Sequence, residues 1–190
     1  MNGLADNETA VRQREQQWYA MWVYRSLVTP IVEFCEKNGT EYYRPVRLAE
    51  RYTSAGMVYS EVPVVPNLLF VRTSPSELAD IKRVSNNRGL PYCYPGTYVP
   101  APIADATMEM FKLVVKKGAQ HLECVDFPLD KGDRVRVTDG IFKGAEGYIR
   151  RIHGSRRFVV AIEGVVAVAV THIPRQFLER VNPPAAADGL

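Results

Sequence analysis

Hydrophobic and polar residues alternate along several short stretches of the chain, and a period of two predicts β-strands. Near the C-terminus, Val135 and Val137 alternate with Arg134 and Arg136, so one face of this strand is apolar and the other cationic. Residues 165–171 carry no charged side chain, which predicts a strand that is well covered in the folded protein. Further strands are predicted at residues 18–24, 157–162 and 177–181, with an extended segment at 40–52 and a strand and turn at 91–100. Residues 62–72 are predicted to be a buried strand whose regular pairing Pro63 and Pro66 confine to its second half.

Apolar residues at helical spacing predict three helices between these strands. The first spans residues 26–37, and Asn38-Gly39 fits its C-terminal cap. Ser74 with Glu77 forms a capping box that begins the second helix. The third helix is expected over residues 103–117.

The predicted elements follow the order β-α-β-β-α-β-α, and the elements predicted after these are all strands. This order predicts an α+β domain with one antiparallel sheet over residues 16–117, followed by a small all-β barrel over 129–181. Residues 118–128 are expected to link the two. The polar lead (1–15) and the tail (182–190) are expected to be flexible, and the lead lacks the apolar core of a signal peptide.

Composition narrows the class of protein. Hydrophobic residues make up 46% and charged residues 24% of the 190 positions, which is ordinary for a globular chain. No window approaches the roughly 20 apolar residues of a membrane helix, so no membrane contact is expected. The three cysteines lie far apart and the histidines lack zinc spacing. We therefore expect a reduced cytoplasmic protein without a structural metal, whose cysteines are small buried hydrophobes.

Positive charge is concentrated in the C-terminal part of the chain. The net charge is +3. Residues 130–181 hold ten lysines and arginines against six aspartates and glutamates, whereas the remainder holds fourteen against fifteen. The basic excess suits contact with nucleic acid or with an acidic protein, although solvated faces are often basic too.

Glycines punctuate the basic β pattern at residues 131–151, KGDRVRVTDGIFKGAEGYIRR. Asp139-Gly140 supplies a turn, and Gly144 and Gly147 bracket a tight return before Tyr148. The segment resembles the KOW motif, GDxVxVxxGxFxGxxGxV, of transcription elongation and ribosomal proteins. A match of this length with each glycine in place is fairly specific.

The order of motifs over residues 16–181 resembles the NusG family of transcription elongation factors. Trp18-Tyr19 and VPNLLFV at 65–71 are similar to strands of the family's NGN domain. YCYPGTYVPAPIADATMEMF at 92–111 resembles its strand, glycine turn and helix entry. The resemblance implies an α+β NGN domain, with helices on an antiparallel sheet, followed by an SH3-like KOW barrel.

Two details resemble the operon-specific antiterminators of the RfaH and UpxY kind: the Pro66-Asn67 pair and the Asn87-Arg88-Gly89 turn. The barrel also departs from the family's Ile-Phe-Gly-Arg segment, which helps to dock a ribosomal protein, and has Ile162-Glu163-Gly164-Val165 there. Two alternatives stay open. One is a housekeeping NusG that acts in general elongation and Rho-dependent termination, and the other is an RNA- or ribosome-binding KOW protein without a polymerase role.

The resemblance implies that the NGN domain binds the clamp helices of bacterial RNA polymerase and so promotes processive elongation. Such a contact needs an apolar patch with large anchors. The candidates are Trp18, Tyr19, Val65, Pro66 and Leu68. The same residue types also fill sheet cores, and Tyr59 offers a nearby aromatic alternative.

Two cationic sets are candidates for further contacts. In RfaH-like relatives, the side of the NGN domain that corresponds to Arg25, Lys82, Arg83 and Arg88 faces the non-template DNA strand, where phosphate contacts are salt-sensitive. The barrel set would suit nascent RNA, a ribosomal protein or another acidic factor. It consists of Arg134, Arg136, Phe142, Lys143, Arg150, Arg151, Arg156 and Arg157. Solvated surface charge explains either set as well.

The sequence contains no motif typical of an enzyme. It has no phosphate loop, no GxSxG and no Cys/His pair at a suggestive spacing. We therefore expect a binding protein without a cofactor, acting as a monomer.

Overall fold

The computed structural model describes residues 16–118, 122–125, 133–152, 154–170 and 173–181. The expected flexible ends, 1–15 and 182–190, lie outside these ranges, as do parts of the expected linker. The fold divides into two units. The first comprises the described residues up to Pro45 together with Val65–Met108, and the second comprises Val46–Val64 with the described residues from Glu109 onward.

An antiparallel sheet forms the centre of the first unit, in the order β2-β5-β1-β6, with β7 also paired to β1. Its strands are β1 (Gln17–Trp22), β2 (Glu41–Tyr43), β5 (Leu68–Thr73), β6 (Leu90–Pro91) and β7 (Pro102–Ile103). The two central strands are mostly buried, because β1 and β5 carry large apolar side chains on both faces. The α+β class predicted for this part of the chain is confirmed.

Two helices lie wholly within the first unit, α1 (Arg25–Asn38) and α2 (Pro75–Val84), and a third, α3 (Asp105–Gly118), begins there and continues in the second unit. The capping box of α2 is confirmed, because the Ser74 hydroxyl accepts from the Glu77 amide while the Glu77 carboxylate accepts from the Ser74 amide. One face of the sheet, through Tyr19, Met21 and Val23, packs with apolar residues of α1 and α2. Within the described ranges, no helix is long and apolar enough to cross a bilayer.

The extended segment predicted over residues 40–52 contains β2 and most of the first strand of a two-stranded hairpin, but the hairpin itself was not expected from the sequence. It consists of β3 (Val46–Thr53) and β4 (Gly56–Pro63), paired along their length. The strand predicted over residues 62–72 is confirmed in its second half, where β5 pairs regularly from Leu68 onward. It is wrong for the first half, because β4 ends at Pro63 and the chain turns before β5. Asn67 takes a φ of 59° in this turn, a conformation that asparagine tolerates better than most residues.

The second unit contains a six-stranded antiparallel sheet in the order β13-β9-β10-β11-β12-β8. The strands are β8 (Glu123–Val125), β9 (Asp133–Val137), β10 (Glu146–Ile152), β11 (Ser155–Ile162), β12 (Val166–Val170) and β13 (Leu178–Arg180), and a 3-10 helix covers Arg175–Phe177. β8 falls inside the segment that was expected to be a linker, and it pairs with β12.

Burial in this sheet follows the sequence pattern. Val135 and Val137 are buried on β9 while Arg134 and Arg136 are exposed, as the alternation predicts. Every residue of β12 is buried, so the uncharged run is covered as expected.

The three cysteines differ in their surroundings. Cys35 is buried, as expected, and burial raises the pKa of its thiol to about 11. Cys93 is half-buried. The expectation of burial is wrong for Cys124, which is exposed because it lies on β8, at the edge of the second sheet.

Candidate interaction surfaces

The glycine-punctuated segment forms β9, a tight turn and β10. The Gly144 amide donates to the Val137 carbonyl at 2.7 Å, and the Val137 amide donates to the Ala145 carbonyl at 2.8 Å. Gly144 has a φ of 88°, a left-handed conformation that favours glycine. These two backbone hydrogen bonds and the left-handed conformation of Gly144 therefore explain the spacing between β9 and the second half of the motif.

Gly147 serves a different purpose, because β10 passes very close to β11 at this residue. A Cβ atom at Gly147 would lie 2.4 Å from the Val159 carbonyl oxygen and 2.8 Å from ring atoms of Phe158. No side chain fits without movement of backbone. The motif's last glycine is therefore a packing requirement.

The apolar side chain that this turn exposes to solvent is not the one predicted from the sequence. Phe142 is buried and supports the turn from inside, so its side chain is not part of an exposed partner surface. Ile141 is exposed instead, and Lys143 beside Phe142 is exposed as expected.

Arg134 and Arg136 both form ion pairs with Glu146 of the same sheet. The Glu146 carboxylate accepts from Arg134 at 3.1 Å and from Arg136 at 2.6 Å. The hydrogen bond from Arg136 is the main reason that the pKa of Glu146 lies below its usual value. These two arginines therefore carry less free positive charge than the sequence suggested, because register places Glu146 directly opposite Arg136 and within reach of Arg134.

The other four arginines of the predicted set form two cross-strand pairs on the β10–β11 hairpin. Arg150 lies opposite Arg157, and Arg151 lies opposite Arg156. Neighbouring positions on a strand point to opposite faces, so the half-buried first pair and the exposed second pair occupy different faces. Like charges directly opposite one another destabilise a sheet, and an anionic ligand would relieve this.

The first unit buries three of its five predicted anchors. Trp18, Tyr19 and Leu68 are only 2%, 3% and 4% exposed. Tyr19 belongs to the core beneath α1 and α2, and burial raises the pKa of its hydroxyl. Their side chains are core residues in this fold, and only Val65 (half-buried) and Pro66 (exposed) reach solvent.

An exposed apolar surface lies instead at the end of β1. Trp22 is 40% exposed and is paired on one side with Leu68 and on the other with Leu90, which is 54% exposed. The Val23 amide donates to the Asn67 carbonyl at 2.7 Å, which brings the loop with Val65 and Pro66 to this edge. A shallow cleft here is lined by Trp22, Leu90, Pro91, Tyr92 and Cys93. We call these five residues, with the adjoining Pro66, the Trp22 patch.

Two of the four predicted cations in this unit flank the Trp22 patch. Arg25 begins α1 shortly after Trp22, and Arg88 closely precedes Leu90, and both are exposed. Lys82 and Arg83 lie in the last turn of α2, where positive charge is favourable next to the helix C-terminus. Arg83 also pairs with Asp80.

The sequence contained one signal for the Trp22 patch. Tyr19, Met21 and Val23 alternate on the face that α1 and α2 cover, so alternation places Trp22, together with Trp18, on the other face. Across the described ranges, no group of histidine, cysteine, aspartate and glutamate residues is arranged to hold a metal ion.

Comparisons with known proteins gave similarities to solved structures. No family model and no curated protein matches the sequence. The chain is similar to Thermotoga maritima NusG, with 16% identity, a TM-score of 0.45, and 90% of this chain and 99% of that chain covered. It is also similar to a chain of an MjSpt4:Spt5 complex, with 14% identity, a TM-score of 0.26, and 87% and 97% covered.

Proposed function

We propose that this chain is a cytoplasmic transcription elongation factor of the NusG kind, which binds bacterial RNA polymerase and promotes processive transcription of specific long operons. The observation that carries the proposal is the KOW-like segment. Its glycine spacing resembles the family motif, and Gly144 and Gly147 occupy positions where conformation and packing require glycine. The proposal assigns the NGN role to residues 16–117 and the KOW barrel to residues 129–181.

In this proposal the Trp22 patch contacts the clamp helices of the polymerase. A shallow apolar cleft with an exposed tryptophan suits the ridge of a coiled coil, and tryptophan is prominent among residues that dominate binding energy. Val65 and Pro66 border this contact, whereas the buried Trp18, Tyr19 and Leu68 support the sheet below it.

Arg25 and Arg88 are the proposed contacts to the non-template DNA strand, because they are exposed beside the same patch. Such contacts to phosphate are mostly blind to sequence and weaken as salt rises. Lys82 and Arg83, at the end of α2, would add to the positive electrostatic potential around these contacts.

The proposed mechanism is a shift of populations. A factor that binds the elongating polymerase more tightly than the paused polymerase favours elongation by that ratio of affinities. A tenfold preference corresponds to about 1.4 kcal/mol. No bond is made or broken in the process.

The turn between β11 and β12 favours an operon-specific factor over a housekeeping NusG. The Val165 amide donates to the Ile162 carbonyl at 3.0 Å, and Glu163 is exposed at the tip of this turn. An exposed carboxylate thus occupies the region where the family carries a phenylalanine and an arginine for the ribosomal protein. A gene position at the head of a long biosynthetic operon would support the same assignment.

Retention of polymerase on the immobilised full-length chain tests the proposed contact. The variant Trp22→Asp with Leu90→Asp introduces charge at two exposed positions and is expected to weaken binding at least about tenfold. The control, Tyr98→Asp with Val99→Asp, adds the same charge at exposed positions of the same unit and should bind like wild type. Thermal denaturation checks that both variants are folded.

Two results would contradict the proposal. Equal retention by both double variants would remove the Trp22 patch from the contact. Absence of any retention by the wild-type chain would favour a KOW protein without a polymerase role.

A further inference from the structure

The second unit contains a cleft of about 190 Å³, and Arg156 is the one residue of the predicted barrel set that lines it. Its rim carries Arg156, Arg175, Arg180 and Asp133. Its floor includes Ile149, Ile173 and Leu178.

This cleft lies at the end of the sheet opposite the KOW-like turn. β9 begins at Asp133 and β13 ends at Arg180, both on the rim, whereas the KOW-like turn follows the other end of β9. Arg156 adjoins the β10–β11 hairpin loop, and the Glu163-Gly164 turn lies at the far end of β11. The cleft is therefore separate from both turns that the motif comparison singled out.

Positive charge on the rim is only partly balanced. Arg180 pairs with Asp133 at 3.3 Å. Arg156 and Arg175 are exposed and pair with no acidic residue in the part of the chain that the structure describes. Arg151 lies directly opposite Arg156 on the same face, so two arginines repel one another at the edge of the cleft. An anionic ligand would relieve this repulsion.

The residues on the floor of the cleft indicate which class of anionic ligand it binds. Proteins bind single-stranded nucleic acid by stacking bases on exposed aromatic rings. Phe158, the aromatic residue among the described residues that line the cleft, is fully buried, and the floor is mainly aliphatic. The volume is also below the roughly 300–1,000 Å³ of small-molecule pockets and matches one large side chain.

We infer that the cleft binds an acidic peptide segment of a partner protein. One large apolar side chain of the peptide inserts against Ile149, Ile173 and Leu178, and flanking carboxylates pair with Arg156 and Arg175. Arginine's planar fork suits bidentate pairing with a carboxylate. This inference does not depend on polymerase binding.

Fluorescence anisotropy with the full-length chain tests the inference. The probe is a labelled synthetic peptide with a central tryptophan flanked on both sides by glutamates. Comparison probes are the same peptide with alanine in place of tryptophan, and an oligouridylate of equal charge. The tryptophan peptide should bind at least about tenfold more tightly than either comparison probe, because only it fills the floor and pairs with the rim.

Charge-matched variants locate the site. Arg156→Glu with Arg175→Glu should weaken binding of the tryptophan peptide at least about tenfold. The control, Arg47→Glu with Arg51→Glu, makes the same change of charge at exposed positions that do not line the cleft and should alter affinity less than about twofold. Arg156→Gln with Arg175→Gln gives a milder loss if charge reversal disturbs folding.

Several results would overturn the inference. Failure of the wild-type chain to bind the tryptophan peptide, or equal binding of the alanine peptide, would exclude an anchored side chain. An equal loss in the control variant would indicate unspecific attraction. Tighter binding of the oligouridylate would make this a nucleic-acid site.

Discussion

Gly147 lies where two strands of the second sheet approach most closely. We expect Gly147→Ala to lower the free energy of unfolding by about 2–3 kcal/mol, because the added methyl group meets the Val159 carbonyl at 2.4 Å. Urea denaturation followed by circular dichroism measures this change.

Gly164→Ala is the matched control for this substitution. Gly164 has a φ of 70° but no atom within 4 Å of its added methyl group, so only conformational strain of about 1 kcal/mol is expected. Equal losses in the two variants would contradict a packing role for Gly147.

At the level of elements, Glu146 joins β9 to β10 through Arg134 and Arg136. We expect Glu146→Gln to destabilise the fold by up to about 1 kcal/mol at pH 7. The lowered pKa of Glu146 means that this stabilisation is present above its ordinary value of 4.5 and is lost as the pH falls through the folded-state pKa. The difference between wild type and variant should therefore vanish in acid.

Unfolding free energies measured across this pH range check the prediction. Glu163→Gln removes the same charge at an exposed turn and serves as the control at neutral pH. A difference between wild type and Glu146→Gln that persists in acid would mean that packing, and not the ion pair, is responsible.

Sequence patterns predicted some elements better than others, for physical reasons. The alternation on β9 and the capping box at Ser74 were predictable because both are local. The β3–β4 hairpin was missed because its residues are mostly exposed and lack a clear apolar face. The pairing of Glu146 with two arginines depends on strand register, which the local pattern does not determine.

For the whole molecule, the candidate sites were harder to predict than the fold class. Alternation indicates that Trp18 and Trp22 share a face of β1, but it does not indicate which of them other elements cover. Trp18 is buried and Trp22 is exposed. The proposed polymerase contact therefore lies at Trp22, further along β1, and not at Trp18. The cleft that we infer to bind an acidic peptide could not be predicted from the sequence, because Arg156 and Arg175 come together only when the strands pair.

Single-round transcription through a defined pause, with polymerase from the same organism, tests the central claim most directly. The wild-type chain and the Tyr98→Asp, Val99→Asp control are expected to shorten the lifetime of the pause. The Trp22→Asp, Leu90→Asp variant should leave that lifetime close to its value without any factor. A wild-type chain that leaves the pause lifetime unchanged, or a Trp22 variant that shortens it as well as wild type does, would contradict the account.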